Sequence, residues 1–167
     1  MNIRVLNESD AQLYQQLRLN ALKTNPEAFG STYEREAGFS LETVSERLRP
    51  SEEKFALGAM DRNGRLAGTV TFVRETGPKT RHKGNIYGMY VVPEVRGKGV
   101  GKSLLLELIG MARHCDGLEQ LHLTVVSAND SAIKLYKSLG FEVYGIERDA
   151  LKFNGQYFDE ELMALRL

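Results

Sequence analysis

The residues most able to do chemistry crowd between Pro93 and Leu104. Arg96-Gly97-Lys98-Gly99-Val100-Gly101 is followed by Lys102-Ser103, giving three glycines in five residues with Arg96, Lys98 and Lys102 supplying positive charge. Glycine lets a backbone turn tightly and approach a ligand closely. An apolar, strand-like stretch ends at Val92-Pro93, and helical spacing of apolar residues begins at Val100. A helix start offers unsatisfied N–H groups and the positive end of the helix dipole. Together these features suit a phosphate or pyrophosphate. The competing reading is a turn that only joins a strand to a helix.

Two familiar phosphate motifs fail here in register. A P-loop ending at Gly101-Lys102-Ser103 needs glycine where Arg96 stands, with Gly97 one residue out of place. The dinucleotide pattern G-x-G-x-x-G needs glycine at Lys102 or at Leu104. His82, His114 and His122 have no metal-ligand spacing with one another or with Cys115, so no metal is expected.

The elements around this run follow from periodicity and breakers. Residues 2–6 read as a strand. Glu8, Ser9 and Asp10 begin a helix bearing Leu13, Leu17, Ala21 and Leu22, which ends at Asn25-Pro26. Residues 27–40 read as a loop with helical pieces. Residues 41–48 read as a short helix capped by Ser40. Strands 54–61 and 66–75 flank an Asn63-Gly64 hairpin turn. A polar, basic connection, 77–84, leads to a strand over 85–92, a helix over 100–114 and an apolar strand over 121–126. A last helix, capped by Asn129 or Ser127, runs to Leu139 and stops at Gly140. Strands 141–147 and 156–165 close the chain, with the turn signal Asn154-Gly155 before the second. The order is β-α-α-β-β-β-α-β-α-β-β, an α/β architecture with a mixed sheet. The strands on either side of the 100–114 helix should run parallel.

The chain has 167 residues, which suits one domain over 1–167, and 42% are hydrophobic. Lys+Arg and Asp+Glu are both 22, so there is no basic excess to release counterions from nucleic acid, and no nucleic-acid partner is expected. Cys115 is the single cysteine, which excludes an intrachain disulfide and suits a cytoplasmic location. No signal peptide is read at the start, and no run approaches the ~20 apolar residues that span a bilayer, so no membrane is expected.

What fits the glycine run is R-x-x-G-x-G, spelled by Arg96 to Gly101, with Val91-Val92-Pro93-Glu94-Val95 before it. A second element, Asn129-Asp130-Ser131-Ala132 through Tyr136 to Gly140-Phe141, follows in order. Here the sequence resembles the GNAT superfamily of acetyl-CoA-dependent N-acetyltransferases, most strongly from about Gly88 to Phe141. The resemblance implies a central mixed sheet of about six to seven strands flanked by about four helices. It also implies an acetyl group moved from acetyl-CoA to a primary amine by direct attack in a ternary complex. The amides of Arg96, Gly97, Lys98, Gly99, Val100, Gly101, Lys102 and Ser103 would then bind the coenzyme pyrophosphate. Met89, Tyr90 and Val91 would run beside the pantetheine arm, and an N–H near Met89 or Tyr90 would polarise the thioester carbonyl. Asn129 and Ala132 would hold the pantetheine side, although Asn129 is equally a plain helix cap. Tyr136 would face the sulfur as general acid, the competing reading being a core tyrosine beside Ile133 and Leu139.

The chain departs from the family where a glutamate often stands before the glycine run. Asn85-Ile86-Tyr87-Gly88-Met89-Tyr90 contains no acid, which leaves the general base open among Glu34, Glu36, Tyr87 and water. A surface role is expected for Glu34 and Glu36. Tyr157, Phe158 and Asp159 could line the acceptor side, though an ordinary final strand is the preferred reading. Family members often form homodimers. The alternative to an enzyme is a non-catalytic acyl-CoA sensor, which would need the glycine run and Asn129 but not Tyr136.

Overall fold

The computed structural model describes residues 1–167. Seven strands form one sheet in the order β1-β2-β3-β4-β5-β7-β6. They are β1 Asn2–Val5, β2 Lys54–Met60, β3 Leu66–Arg74, β4 Lys83–Val91, β5 Gln120–Val126, β6 Glu142–Phe153 and β7 Gln156–Arg166. The helices are α1 Ala11–Thr24, α2 Tyr33–Ala37, α3 Leu41–Leu48, α4 Val100–Arg113 and α5 Asp130–Ser138. All neighbouring strands pair antiparallel except β4 and β5, which run parallel across α4 as the βαβ pattern requires.

The helix starts are fixed by short polar side chains. Asn7 begins a 3-10 turn, accepting from the Ser9 N–H at 2.9 Å while Asp10 accepts from the Asn7 N–H at 2.9 Å. Asp10 also receives both arms of Arg4, at 2.7 and 2.8 Å, which ties β1 to the start of α1. Ser40 caps α3 and Asn129 caps α5, the latter accepting from the Ala132 N–H at 3.3 Å.

Two cores sandwich the sheet. Leu104, Leu105, Leu108 and Ile109 of α4 and Ile133 and Tyr136 of α5 pack on one face, against Val70, Phe72, Leu121 and Met163. Leu17 and Ala21 of α1 and Val44 and Leu48 of α3 pack on the other, with Tyr90 of β4 among them.

Beyond shifts of a residue or two at element ends, the structure differs from the sequence reading most at β4, β6 and the 27–40 stretch. β4 begins at Lys83 instead of 85, because Lys83 and Gly84 supply two of its three pairings with β5. At Gly84 an added Cβ would lie 2.3 Å from the Phe72 ring, so the close approach of that core ring requires glycine. β6 continues past 147 to Phe153 through an irregularity between Glu147 and Leu151, with Asp149 at φ 52°. A bulge hides such an extension by breaking the alternation of side chains. The 27–40 stretch holds a 3-10 turn, Pro26–Ala28, and α2, so there are five helices where about four were expected.

Candidate active site

β4 and β5 pair over only three residues, Lys83↔Gln120, Gly84↔Leu121 and Asn85↔His122, and then part. Beyond Asn85 the edge of β4 that faces β5 has no partner strand. A bulge reshapes β4 at that point: Thr69 and Thr71 of β3 face Tyr90 and Tyr87, so two β4 residues, Gly88 and Met89, oppose Val70 alone. Gly88 has φ 59°, the left-handed conformation that such a bulge needs. The parted strands open a cleft of about 950 Å3, lined by Met89, Tyr90 and Val91 on one side and by Leu123, Thr124, Val125 and Val126 on the other.

One end of the cleft is built for an anion. Gly97 and Gly99 stand at φ 74° and 80°, and α4 starts immediately after Gly99. The six amides of residues 97–102 donate to no protein acceptor. Consecutive free N–H groups at a left-handed turn and a helix start form a cradle for phosphate oxygens. The predicted donor run was too wide at both ends. The Arg96 amide donates to Pro93 O at 3.2 Å and the Ser103 amide to Gly99 O at 2.9 Å, so neither is free. Lys98 and Ser103 also stand outside the cleft lining, and Lys98 Nζ donates to Glu94 O at 3.1 Å. Gly97, Gly99, Val100, Gly101 and Lys102 do line it, although the Val100 side chain points into the core.

Arg96 is placed differently from a free phosphate-binding cation. Its Nε donates to Val91 O at 2.8 Å, its terminal nitrogen donates to Asn25 Oδ1 at 3.0 Å, and its guanidinium lies 5.4 Å from the Tyr90 ring centroid. It straps the glycine turn to the segment after α1. No local pattern announces this bond, which joins residues 71 positions apart.

The other wall carries Asn129, Ala132 and Tyr136. Asn129 uses its carbonyl oxygen as the helix cap, which leaves its amide NH2 for a ligand. Tyr136 is 6% exposed and stands edge-on to Phe141 at 5.9 Å. Burial pushes its phenol up to about 12. Its two expected surroundings, core and cleft, are therefore both present.

The acids divide sharply. Glu36 is buried rather than on the surface, and both its oxygens are held by Arg18 Nε at 3.0 and 3.2 Å. It does not line the cleft. Glu34 lines a smaller neighbouring cavity of about 260 Å3 between the segment after α1 and the β6–β7 hairpin. Tyr87 lines the cleft and is 56% exposed. The sequence reading missed Glu160 of β7, which lines the same cleft as Thr124 and Tyr136. Burial raises its carboxyl above the ordinary range, the Thr124 hydroxyl pulls the other way, and the Glu147 charge adds to the rise. The available signal was the acidic run Asp159-Glu160-Glu161 inside a closing strand. Of the neighbours considered for the acceptor side, Phe158 lines both cavities, Asp159 is tied to Arg148 at 2.9 Å, and Tyr157 is exposed.

Cys115 sits just beyond the far end of α4, outside the cleft. No group of three or more His, Cys, Asp or Glu is gathered as a metal site, and no helix is long and apolar enough to cross a membrane.

The family model for the acetyltransferase (GNAT) domain matches residues 3–162. An L-amino acid N-acetyltransferase of Escherichia coli, AaaT, is 31% identical over 102 residues, 61% of this chain and 62% of that protein. The chain thus spans less than two thirds of that relative's length. A GNAT-family acetyltransferase from Streptococcus pneumoniae superposes with TM-score 0.89 at 24% identity, covering 99% of both chains. The protein yncA from Salmonella typhimurium, solved with its cofactor acetyl-CoA, superposes with TM-score 0.78 at 26% identity over 99% of this chain and 93% of its own. With parted parallel strands, a glycine turn of free amides and a family model matching nearly its whole length, this chain belongs to the GNAT acetyltransferase family.

Proposed function

We propose that residues 1–167 act as one catalytic domain that transfers an acetyl group from acetyl-CoA to a primary amine. The observation that carries this reading is the cleft between β4 and β5, which has the free amides of Gly97, Gly99, Val100, Gly101 and Lys102 at one end and Tyr136 on its wall. The pyrophosphate fits the amides of residues 97–102, with the α4 dipole and Lys102 adding positive potential. The unpaired edge of β4 from Tyr87 to Val91 offers backbone groups to a pantetheine arm, and the Asn129 amide faces it from α5. Acetyl-CoA supplies the activated acyl carbon and a thiol leaving group.

Tyr136 acts on the sulfur. A phenol at about 12 is a weaker acid than a thiol at about 8.5, and the gap of about 3.5 units is worth about 5 kcal/mol against full transfer. Tyr136 therefore stabilises the departing thiolate through its O–H hydrogen bond. The acceptor approaches from the α1–α2 side, where Phe29 and Phe158 connect the cleft to the smaller cavity. AaaT is named for L-amino acids, and that likeness supports an amino acid as this chain's acceptor. A single half-buried cysteine suits a reducing, cytoplasmic setting.

The test is release of free coenzyme thiol from acetyl-CoA against panels of L-amino acids and short peptides. Amine-dependent release is expected, with Tyr136→Phe lowering kcat by about 10²-fold or more. Wild-type protein that binds no acetyl-CoA in calorimetry would sink the reading.

A further inference from the structure

Glu160 stands on the side of the sheet from which an acceptor would come. The β5–β7 register sets it opposite Val126, and the β6–β7 register sets it opposite Glu147. Side chains alternate across a strand. Met163 and Leu165 point into the core under α4 and α5, so Glu160 and Leu162 point to the other face, that of α1 and α3. Tyr136 reaches the cleft from the α4–α5 core. The two residues thus belong to opposite faces of the sheet and meet the same gap, one suited to the sulfur and the other to the amine.

We infer that Glu160 is the general base of the transfer, taking the proton from the acceptor's ammonium group. The inference rests on the acetyl-transfer reading above. An amine attacks only when neutral, and amino-acid and N-terminal amines have pKa values of about 8 or above. The Glu160 carboxylate accepts one N–H proton and passes it to water. The freed nitrogen pair forms the C–N bond as the C–S bond breaks, and the sulfur keeps the bonding pair. The second proton shed by the nitrogen neutralises that thiolate, so the products are the acetylated amine, free thiol and one proton.

Several polar groups lie next to this carboxylate in the chain or the sheet, or line the same cleft. The Thr124 hydroxyl of β5 favours its charged form, and Glu147 of β6 repels it from the opposite position. Asp159 beside it is occupied by Arg148. Arg18, which is held by Glu36, and Tyr87 and Tyr136 line the same cleft. Burial together with the Glu147 charge brings the carboxyl nearer to neutral pH, where a base is most effective. The remaining acid in the cleft, Glu27, sits on the 3-10 turn after α1 rather than at the β5–β7 seam.

The experiment measures kcat/KM from about pH 5.5 to 9.5 with acetyl-CoA and the L-amino acid that turns over fastest in the panel. Wild type is compared with Glu160→Gln, Glu147→Gln and Glu27→Gln, with acetyl-CoA affinity measured by calorimetry for each. Glu160→Gln should lose about 10²–10⁴-fold in kcat/KM and its acidic limb, with acetyl-CoA affinity kept. Glu147→Gln should keep the plateau and move the limb to lower pH, since a like charge is gone. A Glu160→Gln enzyme with near wild-type rate and an intact limb overturns the inference, as does a limb that disappears in Glu27→Gln instead. Should Glu160→Gln fail to fold, an unmoved limb in Glu147→Gln overturns it. Wild type that turns over while Glu160→Gln is unaffected defeats this inference alone. Wild type that binds no acetyl-CoA defeats the acetyl-transfer reading and this inference with it.

Discussion

Single residues set the chemistry of the cleft by where their polar atoms are left unused. Gly97 and Gly99 hold left-handed backbone angles in a run whose amides donate to no protein acceptor. An L side chain in that conformation costs roughly 1–2 kcal/mol. Gly99→Ala has open space around its new Cβ, so its effect comes from the backbone and not from a clash. The variant is expected to lose about that much stability in a denaturant titration and to bind acetyl-CoA several-fold more weakly by calorimetry. Unchanged affinity would mean that the amide cradle does not hold the ligand. Asn129 shows how one side chain serves two ends, its oxygen starting α5 while its NH2 remains available.

At the scale of elements, the start of α1 is fastened to the sheet by Asp10. Arg4, foremost by its hydrogen bonds, holds the Asp10 carboxyl below its ordinary 3.8. A carboxylate with a lowered pKa stabilises the fold above its ordinary value and loses that contribution as pH falls through the folded value. Asp10→Asn should therefore cost about 1–3 kcal/mol at pH 7, toward the low end because Arg4 is partly solvated. The gap between wild type and variant should narrow as pH drops below 3.8. A gap constant down to strongly acid pH, measured by urea unfolding at each pH, would refute the pairing as its source.

At the scale of the whole molecule, the cleft runs through the sheet rather than over it. Residues of both cores line it, Leu123, Val125 and Tyr136 from one and Tyr90 from the other, so a ligand seated there would touch both. Acetyl-CoA at about one hundred times its Kd should stabilise the native state by about 2.7 kcal/mol. For a chain of this size that is roughly 5–11 °C in Tm. Coenzyme A should give a similar rise, because the pyrophosphate cradle is shared. A melting curve unmoved by either ligand would contradict the placement of the site.

Most of the fold was legible in the sequence because its signals are local. Alternation, helical spacing, short polar caps and the Asn-Gly turns found all seven strands and the four longer helices. The glycine run and its helix were legible for the same reason: backbone conformation and free amides depend on neighbours in the chain. The general base was not legible, since an acid becomes a base by its surroundings. Glu36 looked free in the sequence, yet Arg18 from another helix buries and binds it. Glu160 looked like part of a closing strand, yet the β5–β7 register turns it into the gap. Arg96 looked like a phosphate ligand, yet Asn25 holds its guanidinium from 71 residues away. The sequence by itself determined the sheet, its crossover helix and the amide cradle. Only the tertiary structure decided which charges are spent on one another and which face the cleft, because pairing and burial are set by segments distant in the chain.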